Sequence, residues 1–176
     1  MKTLIMAGGR AERLGGVVKP LLVVCGKTIL ERVVNASKPM GRVIVAYTRY
    51  TESVALECRR LGVECVKTSG RGYVSDLDEA LLIIGLPALV LPCDTPFITT
   101  SILEEFLEKA LACREDVVTL EACRDRECKP LGISFFRKRK GSWKTIRFEW
   151  RRELLDIDTE KDLAEAREYC SKACYW

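Results

Sequence analysis

Short apolar and β-branched runs alternate with amphipathic stripes along nearly the whole of this 176-residue chain. Lys2–Met6, Arg42–Tyr47, Glu64–Val66, Ala88–Leu91, Val117–Leu120 and Leu131–Phe136 read as strands. Thr28–Asn35, Glu52–Leu61, Ser75–Ile84, Ser101–Ala112 and Thr159–Cys170 read as helices. In Ser75–Ile84, for example, Leu77, Ala80, Leu81 and Ile84 fall at i, i+3, i+4 and i+7, and Glu52–Leu61 stops at Gly62. Strands separated by helices imply βαβ units and a mainly parallel sheet. The expected fold is therefore α/β, Rossmann-like and three-layered, with one domain spanning residues 1–176.

Composition removes whole classes of chemistry. With 48% apolar and 31% charged residues the chain is neither disordered nor a membrane span, and its longest apolar run, Leu81 to Pro92, is broken by Gly85 and Pro87. Too few apolar residues follow Met1-Lys2 for a secretory signal, so the cytoplasm is expected. There is no histidine, which excludes Ser-His-Asp and Cys-His catalysis and imidazole metal ligands. Glutamine is absent and Asn35 is the only asparagine, a usage that fits a thermophile. None of the nine cysteines has C-x-x-C spacing, and the reading from spacing is small buried hydrophobes. Disulfides are expected only if the source is a hyperthermophile. A net charge of +4 suits an anionic substrate without demanding nucleic acid.

The first strand runs into Ala7-Gly8-Gly9-Arg10-Ala11-Glu12-Arg13-Leu14-Gly15-Gly16 and then Lys19-Pro20-Leu21. Glycines let backbone N–H groups crowd around an anion, while Arg13 and Lys19 add a planar fork and a compact point charge. Known phosphate loops do not match. A Walker A reading needs glycine where Leu21 stands, and a dinucleotide fingerprint needs it at Arg10. Ligands of parallel α/β sheets sit at the carboxyl ends of the strands. Asp94, in Leu91-Pro92-Cys93-Asp94-Thr95-Pro96, follows its strand as the glycine loop follows the first, so both belong on one edge.

This pattern resembles the signature of the nucleotidyltransferases that activate sugars and cofactors, roughly G-G-x-G-[ST]-R-[ML]-G followed by K-P-L. The resemblance implies that Gly8, Gly9, Arg13 and Gly15 hold a triphosphate, with Ala7 and Arg10 beside them. It implies that Lys19 stabilises charge at the α-phosphate. Ala11 departs from the pattern's glycine, and Glu12 from its Ser or Thr. Asp94 matches a G-D-x-P-type segment whose Asp binds a metal, expected here to be Mg²⁺; an Asx-turn is the structural alternative. Asp156 and Asp158 match an Asn/Asp pair before the last helix. Asp158 is the choice for second ligand, although Asp158 or Thr159 with Asp162 also reads as a capping box. The catalytic set is then Arg13, Lys19 and Asp94.

Base choice is expected from Thr68-Ser69-Gly70-Arg71-Gly72-Tyr73-Val74-Ser75-Asp76. Ser69, Gly70 and Asp76 contact the nucleotide in this reading, Asp76 accepting from the guanine edge. The alternative is an N-cap at Ser75 and ordinary first-turn acids at Asp76 and Asp78. This segment and Pro130-Leu131-Gly132-Ile133 resemble the archaeal adenosylcobinamide-phosphate guanylyltransferases. That likeness implies GMP transfer from GTP to adenosylcobinamide phosphate with release of pyrophosphate. Other phosphate acceptors, such as the molybdenum cofactor or a sugar phosphate, remain alternatives. A non-catalytic GTP sensor is another. The basic stretch Arg137–Arg152, with Trp143 and Trp150, leaves an RNA-binding protein, an acceptor surface and a solvated loop open. Nucleic acid is not the expected partner, and a homodimer is compatible with the sequence.

Overall fold

The computed structural model describes residues 1–11 and 14–173, and only the backbone of 172 and 173. Its strands are β1 (Lys2–Met6), β2 (Val23–Val24), β3 (Lys27–Thr28), β4 (Arg42–Tyr47), β5 (Glu64–Lys67), β6 (Ala88–Pro92), β7 (Val117–Arg124), β8 (Glu127–Phe136) and β9 (Trp143–Glu149). Its helices are α1 (Ile29–Ser37), α2 (Val54–Leu61), α3 (Tyr73–Ile84), α4 (Thr100–Ala112) and α5 (Glu160–Ala173). Among the described residues one sheet has the order β5-β4-β1-β6-β8-β7-β9, and β2 and β3 form a separate small hairpin. Only β8 runs against the other strands of the large sheet.

Strand alternation builds the layers. Ile5, Val45, Leu89, Leu91, Ile133 and Phe135 join residues of α1, α2, α4 and α5, including Val33, Cys58, Phe106 and Ala166, in one buried cluster. Leu4, Met6, Ala46 and Val90 meet Ala80 and Leu81 of α3 on the other face. Helices on both faces explain why β1 and β6 are buried almost throughout and read as continuous apolar runs. The three-layer, mainly parallel α/β expectation holds.

The structure settles two alternatives left open and moves two strand boundaries. The stretch Arg137–Arg152 is not a solvated loop, because it contains β9, which pairs with β7 from Val117↔Trp143 to Cys123↔Glu149. As an edge strand burying only Phe148, β9 carries charges that hide its character in the sequence. Likewise β7 and β8 continue past their apolar cores to a turn at Asp125-Arg126, where Asp125 has φ +56°. Helix α3 starts at Tyr73, so Ser75 lies inside it and does not cap it.

The cysteine reading needs a similar correction. Cys25–Cys170 joins the β2–β3 hairpin to α5, and Cys123–Cys128 crosses the β7–β8 hairpin. Cys58 and Cys93 do behave as buried hydrophobes. Burial pushes the Cys58 thiol up to about 12 and Cys93 well above its ordinary value, so both stay protonated. Cys174 lies outside the described residues.

Candidate functional site

Strands β1 and β6 are parallel neighbours with Met6 opposite Pro92, and the Cys93 N–H donates to Met6 O at 3.1 Å. The glycine loop and the Asp94 turn therefore leave the sheet side by side. They border a cleft of about 680 Å³, lined also by residues that follow β4 and β5. Ala7, Gly8, Gly9, Arg10, Lys19, Gly70, Asp76 and Asp94 all line it, whereas Gly15 and Ser69 do not. Arg13 and Glu12 lie outside the described residues.

Gly8 packs against the segment after β4. Thr48 Oγ1 donates to Gly8 O at 2.9 Å, and a Cβ on Gly8 would lie 2.5 Å from Thr48 Cγ2. Gly8→Ala should thus cost about 1–3 kcal/mol, the range for overpacking. Thr48→Ser deletes that methyl group and keeps the hydroxyl. Thermal denaturation of the double variant should recover most of the loss, and simple additivity would show that Gly8 matters for another reason.

Lys19 begins a short 3-10 turn with Pro20 at its start. Its Nζ lies 3.4 Å from Asp94 Oδ2 and 3.1 Å from Asp158 Oδ1. Asp94 Oδ1 is sealed from solvent and has no hydrogen-bond partner, although the side chain as a whole is 23% exposed. Burial raises its carboxyl to about 6, against the pull of Lys19. Asp158 is also raised by burial, but Lys19 and then Lys129 outweigh that and hold it below the usual range. Two carboxylates, one with an orphan oxygen, form a hard donor set suited to a small divalent cation. Elsewhere Glu121, Cys123 and Cys128 converge, but the two thiols are spent in a disulfide.

Capping and charge are divided between neighbours at α5. Asp162 Oδ2 accepts from Thr159 N at 2.7 Å and from Asp158 N at 3.0 Å, while Thr159 Oγ1 accepts from Asp162 N at 3.3 Å. Thr159 and Asp162 make the capping box. The Asp158 carboxylate does not cap; it faces Lys19 and Lys129.

On the far wall the 68–72 loop is tied to α3. Asp76 is buried, and its Oδ1 already accepts from Gly70 N at 2.7 Å, so that oxygen is committed to shaping the loop. Glu79 accepts from Ser69 N and Ser69 Oγ, each at 2.8 Å, and from Arg71 at 2.8 Å. Arg71 and these Ser69 bonds hold its carboxyl down to about 2. Ser69 is thereby turned into the clamp. Between this wall and the glycine loop stands Tyr50. Its ring lies under the Arg10 guanidinium at 4.3 Å and the Arg49 guanidinium at 4.9 Å. Motif spacing alone does not single out Arg49 and Tyr50, which line the cleft. Their position just past a parallel strand's carboxyl end was the available signal.

A family model described as the MobA-like NTP transferase domain matches residues 3–160. The chain belongs to this family. Among its relatives, an adenosylcobinamide-phosphate guanylyltransferase of Methanocaldococcus jannaschii is 28% identical over 131 residues, covering 69% of this chain and 66% of that protein. A putative molybdenum cofactor guanylyltransferase of Neisseria meningitidis is 24% identical and covers 94% of this chain and 100% of the relative. In fold, molybdopterin-guanine dinucleotide biosynthesis protein A of Archaeoglobus fulgidus superposes with a TM-score of 0.76 at 20% identity, covering 98% of this chain and 100% of that one. A CMP:2-keto-3-deoxy-manno-octonic acid synthetase complexed with CTP gives 0.79 at 17% identity, covering 97% and 98%.

The backbone shows what one departure from the signature entails. Ala11, where the signature usually has glycine, adopts φ +46°. Its carbonyl accepts from Leu14 N at 2.9 Å and Gly16 N at 3.1 Å. The turn requires a left-handed residue there, and alanine tolerates it at a cost of about 1 kcal/mol. Downstream, most of the basic stretch is used in structural contacts. Arg137 donates to the carbonyls of Ala110 and Leu111 in the last turn of α4 and of Glu115 beyond it, Lys138 pairs with Asp116, and Arg139 pairs with Asp78. Arg151 pairs with Glu105, and Arg152 donates to Tyr169 O. Among the described residues no helix is long and apolar enough to cross a membrane.

Proposed function

We propose that this NTP transferase moves GMP from GTP to adenosylcobinamide phosphate and releases pyrophosphate. The observation that supports nucleotidyl transfer is the Lys19 ammonium shared by Asp94 and Asp158, with Lys19 and Asp94 lining a glycine-bordered cleft; the acceptor rests on the resemblance to the Methanocaldococcus relative. A binding-only GTP sensor would not need two carboxylates around the cation nearest the reacting phosphate. The glycine loop with Arg10 binds the polyphosphate, and the 68–72 loop receives the guanine through its backbone. Lys19 neutralises charge growing on the α-phosphate.

Asp94 and Asp158 would hold Mg²⁺, which when bound supplies further charge neutralisation at the phosphates. An oxygen of the acceptor phosphate forms a bond to the α-phosphorus, the α–β bridging bond breaks, and its electron pair leaves with pyrophosphate. A phosphate monoester is already mostly ionised near neutral pH, so no general base is required. That suits a chain without histidine. The full-length match to the Neisseria protein favours a second reading, in which the acceptor is the molybdenum cofactor.

A thermal-shift panel of GTP, ATP, CTP and UTP with Mg²⁺ tests the base, because a specific ligand raises the midpoint by mass action. GTP should give the largest shift. Pyrophosphate release with each of the two acceptors then decides between them. Release with neither sinks the transferase reading for both.

A further inference from the structure

Beyond the nucleotide cleft, a second cavity of about 230 Å³ opens at the same sheet edge, lined by Arg124, Lys129, Trp150 and Asp156 among others. The strand order separates the two. The cleft draws on segments following β5, β4, β1 and β6, and the second cavity on β8, β7 and the residue after β9.

Lys129 lines the second cavity and is joined to the cleft through ion pairs. Its Nζ lies 2.5 Å from Asp156 Oδ2 and 3.2 Å from Asp158 Oδ2. The other oxygen of Asp158 faces Lys19, which also reaches Asp94. Charges of alternating sign thus run without a break from the cleft into the second cavity. The Lys129 side chain is 58% exposed, so its ammonium can exchange a carboxylate for an arriving anion. Behind it the Arg124 guanidinium lies 4.7 Å from the Trp150 ring, the buried Leu131 and Leu154 add apolar surface, and Glu127 contributes a second carboxylate besides Asp156.

In-line transfer requires the attacking oxygen to approach from the side opposite the departing pyrophosphate. With pyrophosphate on the glycine loop after β1, that side is β8, where Lys129 is. A dianion brought beside Asp156 and Asp158 needs a cation between, and Lys129 touches both. We infer that Lys129 binds the phosphate of a phosphate-monoester acceptor, whose adjoining body rests in the cavity against Trp150 and Arg124. This rests on the proposed transfer to a phosphate.

Lys129→Met and Lys129→Arg in the intact protein test it. Lys129→Met should raise the acceptor KM at least tenfold, leave kcat within about threefold and leave GTP affinity within about twofold. Lys129→Arg should restore most of the loss. Calorimetry with phenyl phosphate in saturating GDP gives a readout that needs no turnover. The wild type should bind it, and both Lys129→Met and Trp150→Ala should weaken it severalfold or more. An unchanged acceptor KM, a parallel fall in GTP affinity, or phenyl phosphate binding indifferent to Lys129 overturns the inference. Lys129-dependent phenyl phosphate binding without pyrophosphate release from either acceptor would support the subsite and refute the acceptor reading.

Discussion

Lys19→Ala should lower turnover by about 10²–10³-fold while weakening GTP binding by less than about tenfold. That is the loss seen when one preorganised charge-stabilising donor is removed from a transition state. The ammonium is held between Asp94 and Asp158, so its position is set before substrate arrives and costs no reorganisation during the reaction. The same substitution should also destabilise the free protein. It leaves two close carboxylates without their shared counter-ion, and for a fully buried pair such a break costs about 3–5 kcal/mol. This site is partly open, so the loss should be smaller. Steady-state kinetics beside GTP calorimetry and thermal denaturation checks all three quantities. Equal losses in kcat and GTP affinity would remove the transition-state role.

Asp94→Asn should move activity and stability in opposite directions. The amide has the shape of the carboxylate but a weaker hold on a divalent cation, so turnover should fall by about 10³-fold or more and lose its Mg²⁺ dependence. Folding should become more favourable. Burial raises the Asp94 carboxyl to about 6, so holding it ionised at neutral pH works against the folded state, whereas a neutral amide escapes that penalty. One pKa unit corresponds to about 1.4 kcal/mol, so a gain of about 1–3 kcal/mol is expected. Lys19 keeps Asp158 as a partner in this variant. A charge kept at the expense of stability marks a functional site. Unchanged metal dependence, or a lowered melting point, would argue that Asp94 only shapes its turn.

The elements readable beforehand were those buried on a whole face. β1, β4 and β6 lie within the sheet, and their apolar runs were visible in the chain; so were the stripes of α3 and α4. The conjunction of the glycine loop with Asp94 followed too, because parallel strands deliver their carboxyl ends to one edge. What escaped were elements with a solvated side, β9 and the outer parts of β7 and β8, whose lysines, arginines and glutamates look like loop residues. Ser69 and Asp76 sit in a glycine-bearing segment that points toward a nucleotide, and Asp76 lines the cleft while Ser69 does not. Nothing local reveals that Glu79, ten residues on, claims Ser69, or that Asp76 turns back to Gly70.

By itself the sequence determined the α/β architecture and the edge on which the glycine loop and Asp94 lie side by side, because periodicity and strand direction are local properties that propagate through the sheet. Only the tertiary structure decided that Thr159 caps α5 while Asp158 faces Lys19, that Cys25 pairs with Cys170, and that Lys129 pairs with both Asp156 and Asp158. Those contacts join residues far apart in the chain or choose among neighbours with equal propensity. Distance and direction in space, rather than spacing along the backbone, settle which carboxylate meets which ammonium.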